Sequence, residues 1–336
     1  MAELEPPYEE RHRTDPNLLD RDVEAPVSRI ADFEILRCLA THEGITSYLA
    51  HRRGELGFSK RVMLKVADNP FERGAGVSMR LTDEARLGMR LSHPNLLSVL
   101  DLGRDEGRMF LVREWVDGLG VRRLLQRMWA QKKQMPPAAA LRIGVDVLRA
   151  LHHLHTVRSI SWAPEGIVHC AVTPSNILIS TAGEVRIGNL FMARPHGRAA
   201  SGTDRRGAPT MIPAFQAPEL SAGRAPEPRS DQFSLGAVLF ECLAGEAAFE
   251  GAPDSDWNRY RDDARVQAML REDAVPEGIR DVLLVAMAPD PRDRFPDAGA
   301  FKEELRRVLL DEYRTDGDQE LRDVIETYYA PLGSAR

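Results

Sequence analysis

The sequence predicts an α+β fold, with a sheet-rich first part and a helix-rich remainder, and three observations predict it. Short β-branched or apolar runs separated by glycine and charge fill the first third. Apolar positions at helical spacing dominate the rest of the chain. The chain's 336 residues and 43% hydrophobic content permit a sizeable core, in one two-lobed domain or two small ones.

Residues 1–30 hold eight acidic residues against four arginines and few large apolar groups, so this tail is expected to be disordered or to order only against a partner. From Phe33 the texture changes. "FEILRCLA", "TSYLAHRR" and "KRVMLKVAD" read as strands of an antiparallel sheet. "LTDEARLGMRLSH" sets Leu81, Ala85, Leu87 or Gly88, and Leu91 at helical spacing, and "SVLDLGRDEGRMFLVREWVDG" is two strands around a glycine turn. The chain then reads as mainly helical to Tyr329. In the last segment, 311–336, Leu321, Val324, Ile325 and Tyr328 stand at i, i+3, i+4 and i+7, one apolar stripe on a short helix that either covers its own core or docks a partner.

Composition excludes several functions. Cys38, Cys170 and Cys242 are an odd number at wide spacing, which fits neither a disulfide framework nor a zinc site and points to a reducing cytoplasm. No apolar run approaches the roughly 20 residues that span a bilayer, and the acidic N-terminus is unlike a signal peptide. A formal charge of −6 gives no nucleic-acid or membrane footprint.

From about residue 32 to 310 the motifs, in order, resemble those of a protein kinase. "VMLKVAD" is similar to the strand that carries the family's lysine, here Lys65, and "DEARLGMRLSHPNL" to helix C with its glutamate, Glu84. "GIVHCAVTPSN" resembles the catalytic loop, "VRIGNLFMAR" the metal-binding segment and "AFQAPEL" the end of the activation segment. "SDQFSLGAVLFECLAG" resembles helix F with Asp231, and "DPRDRF" the late arginine motif with Arg294. The flavour is that of bacterial serine/threonine kinases. The resemblance implies a two-lobed kinase-like domain over 31–310, divided into an N-lobe (31–115) and a C-lobe (116–310). It further implies that Glu219 pairs with Arg294, and that Asp231 accepts catalytic-loop N–H groups, since a buried charge needs such partners.

The scaffold residues are present, but the residues that do the chemistry are not. Ala171 stands where the family has its catalytic aspartate, and loss of a general base typically costs a factor of about 10² to 10⁴. Asn189, Leu190 and Phe191 replace Asp-Phe-Gly, so the metal candidates Asn176 and Asn189 are neutral amides where Mg²⁺ is usually held by carboxylates; Glu184 and Asp68 are the nearest possible substitutes. Ala40, His42 and Ile45 occupy the phosphate-loop glycine positions. Met63 replaces the small residue over adenine, and Arg113 stands at the gatekeeper position before the hinge, Glu114 to Val116. A buried Arg113 requires an acid, and Glu84 is the candidate, in competition with Lys65.

The expectation is therefore a pseudokinase. It would be a binding or allosteric module with no required cofactor, weak ATP binding at most through Lys65, Glu84, Asn176 and Asn189, no metal, and pocket-filling Met63, Arg113 and His42. Its partner would be a protein, such as an active kinase or another signalling protein, met through helix C, the activation segment or the tails. The alternatives are a residual serine/threonine kinase and a nucleotide-sensing switch without turnover. A Cys170–His169 nucleophile pair and a metal site in "LHHLH" (His152, His153, His155) are weakly supported, lacking an orienting group and suitably spaced co-ligands respectively. The loop Arg194–Thr210 offers Ser201, Thr203 and Thr210 as phosphate acceptors, but Cys170 stands where the family has its phosphate-receiving arginine.

Overall fold

The computed structural model describes residues 28–42, 44–54, 58–68, 74–158, 163, 166–197, 213–245 and 275–329. The acidic tail up to residue 27 and the three candidate phosphate acceptors of the Arg194–Thr210 loop lie outside them.

Strands β1 (Arg29–Ile30), β2 (Phe33–His42), β3 (Ile45–Arg53), β4 (Ser59–Ala67), β5 (Val99–Asp105) and β6 (Arg108–Glu114) form one antiparallel sheet in the order β1-β2-β3-β4-β6-β5. Glycines with positive φ, Gly44 (76°) and Gly107 (81°), turn its hairpins. One face packs Phe33, Tyr48, Leu64, Val66 and Phe110 into a core of its own. Period-two alternation sends the intervening residues to the other face, so that Leu49, Met63 and Arg113 are direct cross-strand neighbours, with Lys65 two residues on from Met63. Helix α1 (Gly74–Gly88) covers part of this second face by packing Val77, Leu81 and Ala85 on Ala67, Met109 and Leu111. Its last residue must be glycine, because a Cβ there would lie 2.4 Å from a Val99 methyl.

Past the hinge the chain is mainly helical, with α2 (Val121–Ala130), α3 (Pro137–Thr156), α4 (Pro218–Ser221), α5 (Pro228–Ala244), α6 (Glu277–Ala286), α7 (Ala298–Val308) and α8 (Asp318–Tyr328). Short strands set the loops of this lobe. β7 (Gly118–Gly120), β9 (Ile177–Ser180) and β10 (Val185–Ile187) form one small sheet, and β8 (Ile167–Val168) pairs with β11 (Arg194–Pro195). Helix α5 is buried on every side from Ser230 to Leu243, as its near-continuous apolar sequence demands; a Glu227/Ser230 capping box starts it and Gly245 at φ 80° ends it. The result is a two-lobed α+β fold, a curled sheet with one helix over a helical lobe.

The C-terminal helix corrects one expectation. Leu321 and Ile325 are fully buried and Val324 is 6% exposed, all within the main C-lobe core. Helix α8 thus packs into that lobe rather than forming a separate tail from 311, which is the own-core alternative for its apolar stripe, with Tyr328 half-buried at its end. Among the described residues no helix is long and apolar enough to cross a membrane.

Candidate functional site

The cleft between the lobes gathers nearly every residue singled out by motif. Strand β4 aims Lys65 across to Glu84 on α1, with Lys65 Nζ 3.0 Å from Glu84 Oε2. Arg113, from the adjacent strand β6, places Nη1 3.3 Å from the other oxygen, Oε1. Glu84 therefore serves both cations at once, one on each oxygen, and the expected competition does not arise. Both Glu84 and Arg113 are almost fully buried. Burial alone would raise the Glu84 carboxyl, but the Lys65 and Arg113 charges outweigh it and hold the carboxyl below its ordinary value. Burial dominates at Lys65, whose ammonium is pulled down to about 8.

Room for the gatekeeper side chain comes from a residue that the motifs did not single out. A Cβ on Gly188 would stand 2.1 Å from Arg113 Nη2, and the same position also abuts Leu97. Glycine at 188 leaves the guanidinium the room it occupies beside Glu84.

A line of hydrogen bonds continues from Lys65 across the cleft. Lys65 Nζ donates to Asn189 Oδ1 at 2.5 Å, Asn189 Nδ2 donates to Asn176 Oδ1 at 2.9 Å, and Asn176 Nδ2 donates to the Ala171 carbonyl at 2.8 Å. The direction is dictated by chemistry: an ammonium has only donors, so Asn189 must turn its oxygen to Lys65 and its nitrogen to Asn176. Asn189 holds φ 75°, a left-handed conformation that asparagine tolerates, and its side-chain nitrogen and oxygen are both spent on protein partners. Leu190 is buried below it, and the Phe191 ring lies 5.8 Å from Lys65 Nζ, placing an aromatic face where the family has glycine. Met63 is half-buried on the same sheet face as Lys65 and Arg113.

The catalytic-loop backbone is held as the scaffold residues imply. Asp231 accepts from the His169 N–H at 2.8 Å and the Cys170 N–H at 2.9 Å, and its Oδ2 also lies 2.8 Å from His155 Nε2. Cys170 has φ 60°, and these bonds hold it there. The His169 ring meets the Gly188 carbonyl at 3.1 Å. Below, Arg294 grips Glu219 with two nitrogens, at 2.8 and 2.9 Å, while Ser230 donates to Glu219 Oε1 at 2.6 Å. Burial alone would raise Glu219, but its bonds and ion pair with Arg294 keep it low.

Other candidate residues are drawn into different roles. Burial pushes the Cys170 thiol well up, so it is no thiolate nucleophile. His155 is spent on Asp231, and the His153 ring stacks on His93 at 5.1 Å, which parts the "LHHLH" run rather than converging it. Of the possible substitute carboxylates, Glu184 pairs with Arg186 at 3.0 Å and Asp68 accepts from Thr46 at 2.6 Å. Ile45 packs against the helix α1 cluster, and the Gly44 carbonyl accepts from Asp68 N at 3.0 Å, which ties the phosphate-loop tip to the end of β4. The His42 side chain lies outside what the structure describes. Gly188 was missed by the motifs and His155 was grouped with the wrong neighbours, whereas Phe191 was placed correctly at the glycine position but given no role.

Comparison with known proteins agrees with this geometry. A family profile described as the protein kinase domain matches residues 48–305. The tyrosine-protein kinase MasK of Myxococcus xanthus is 27% identical over 306 residues, 88% of this chain and 46% of that protein. Serine/threonine-protein kinase PknL of Mycobacterium tuberculosis is 31% identical over 259 residues, 77% of this chain and 61% of its own length, and PknB of Mycobacterium leprae is 28% identical over 77% of this chain and 40% of its own. The chain thus spans less than two thirds of the length of these relatives. The crystal structure of the Mycobacterium tuberculosis PknI kinase domain superposes with a TM-score of 0.57 at 23% identity, covering 84% of this chain and 99% of that one, a likeness of fold. With its lobes, its Lys65–Glu84 pair and its Glu219–Arg294 and Asp231 anchors in place, the chain belongs to the bacterial eukaryotic-like protein kinase family.

Proposed function

We propose that this kinase-fold chain is a pseudokinase, a binding and allosteric module of bacterial cytoplasmic signalling that does not transfer phosphate from Mg-ATP. The observation that carries the reading is the run of hydrogen bonds from Lys65 through Asn189 and Asn176 to the Ala171 carbonyl. Mg²⁺ usually takes one or two protein carboxylates beside the phosphates. Here the two matching side chains are neutral amides whose oxygens already accept, one from Lys65 and the other from the neighbouring amide, so the residues present do not fit the ion. Ala171 has no group to take a hydroxyl proton, and Phe191 sits beside the lysine that would meet phosphate. With α8 buried in its own lobe, the surfaces left for a protein partner are the activation segment, the N-terminal tail and the outer side of α1, where Met79 is 59% exposed and Met89, just beyond the helix, 58%.

A thermal-shift titration with ATP, with and without Mg²⁺ or Mn²⁺, tests this. The expected result is no rise in melting temperature at about millimolar nucleotide under either condition, and no radiolabel transferred to protein. A metal-dependent rise accompanied by label transfer overturns it. A rise that ignores metal marks the second reading, a nucleotide sensor without turnover, for which the intact 3.0 Å Lys65–Glu84 pair is the specific support.

A further inference from the structure

The connection between α1 and β5 leaves the sheet lobe and is pinned against the helical one. Asn95 Nδ2 donates to the Val185 carbonyl at 2.9 Å, Ile187 N donates to the Asn95 carbonyl at 2.9 Å, and Leu97 N donates to the Ile187 carbonyl at 2.9 Å. All three bonds end on β10, whose last residue directly precedes Gly188 and Asn189. His93 opens this turn. Its Nδ1 accepts from the Asn95 N–H at 3.1 Å, which fixes the neutral ring with its proton on Nε2. The same ring stacks on His153 of α3, with centroids 5.1 Å and planes 26° apart, and both imidazoles are half-buried.

The charged groups around the pair do not neutralise a proton on it. On α3, one turn before His153, Arg149 bonds Asp146 at 2.6 Å, and Arg142 holds the other Asp146 oxygen at 3.0 Å. His152 lies over Gly299 at the start of α7, beside Asp297. On β10, Glu184 and Arg186 pair with each other at 3.0 Å, and the connection itself adds Arg90. Among the described residues no carboxylate bonds to either ring. Burial, then His153 and Arg149, hold His93 below its ordinary value; burial, then His152, does the same for His153.

We infer that the stacked His93–His153 pair is a proton-operated catch on the connection between the two lobes. Uncharged, His93 holds the Asn95 amide and closes the turn that fixes Ile187. A proton added at Nδ1 turns that acceptor into a donor facing a donor, and sets a cation against a second half-buried imidazole with no acid to offset it. The ring takes a proton more readily once the turn is open, so acid favours the open turn. The hold is complete above the ordinary value of 6.5 and is lost as pH falls below it. Release loosens the turn that joins α1 to the strand leading into Asn189, so mild acid reaches the cleft without altering any of its side chains. The inference does not depend on whether nucleotide binds.

Amide protection factors, which remove the intrinsic pH dependence of exchange, test it on the full chain at about pH 7.5 and about pH 5. The expected result is a roughly tenfold fall in protection on acidification at Asn95, Leu97 and Ile187, whose amides make these bonds. In His93→Asn the fall should vanish, because an asparagine oxygen accepts from the N–H two residues on and does not titrate. An equal fall in that variant, or none in the unaltered chain, overturns the catch. Should the shorter side chain loosen the turn at both pH values, His153→Gln keeps the test decisive. It leaves the Asn95 bond in place, and with the stacked imidazole gone the fall should move to higher pH; a fall whose midpoint stays put overturns the pair.

Discussion

Among the described residues, the buried charges of the C-lobe platform and those of the cleft are satisfied in opposite ways. In the C-lobe, Glu219 faces Arg294 and Asp231 faces the catalytic-loop amides, each carboxylate meeting donors fixed by the fold. In the cleft, Glu84 is shared by Lys65 and Arg113, and the neighbouring amides are turned towards one another. Both obey the rule that a buried charge needs partners. The first network satisfies it in the way the family scaffold implies, leaving a platform. The second satisfies it from within, using groups that would otherwise face a ligand, so the stability of the cleft is obtained from the residues that the family devotes to phosphate and metal.

Breaking the first network should have the larger effect. Glu219→Ala strands the Arg294 guanidinium in a fully buried site, and a loss of about 3–5 kcal/mol is expected, read as a lower urea midpoint. In the second, Met63→Ala combined with Arg113→Met leaves Glu84 to Lys65 alone and removes volume from the sheet face; a loss of about 2–3 kcal/mol should come with a gain in nucleotide-induced thermal shift. A double variant that folds and still ignores nucleotide would show that these two side chains do not close the pocket.

A further test of the second network is a pH dependence. Because the Lys65 ammonium is depressed from 10.5 to about 8 in the fold, the unfolded chain holds that proton where the folded chain has already released it. The unfolded state binds more protons in that window, so this group makes stability rise with pH between those two values, and the penalty of a buried ammonium is fully present below about 8. Lys65→Met should abolish that rise in urea midpoints measured across the window, and a rise that persists in the variant would assign it elsewhere.

Motif order made the fold legible, because each of Lys65, Glu84, Asp231, Glu219 and Arg294 sits in a local pattern that survives translation into geometry. The Arg113–Glu84 contact was also legible, since counting residues to the hinge put a cation where only an acid could satisfy it. The amide-to-amide bond was not. Thirteen positions separate Asn176 from Asn189, and nothing in either local pattern says that their side chains turn inward rather than towards a ligand. Gly188 was hidden for the same reason, as its need arises from a side chain on another strand. For α8 the period revealed the stripe at Leu321, Val324 and Ile325 but could not say what covered it, because amphipathicity fixes which face is apolar and not its occupant.

The left-handed backbone at Cys170 has a consequence of its own. A non-glycine residue kept at φ 60° stores roughly 1–3 kcal/mol, and it persists because Asp231 clamps the His169 and Cys170 amides before the bend while the His169 ring accepts from the Ala171 N–H after it. The loop thus retains a posture whose customary beneficiary, an aspartate at 171, has been replaced by a methyl group. At that point the departure from the family pattern is one of side-chain identity alone, hung on a backbone that Asp231 still clamps.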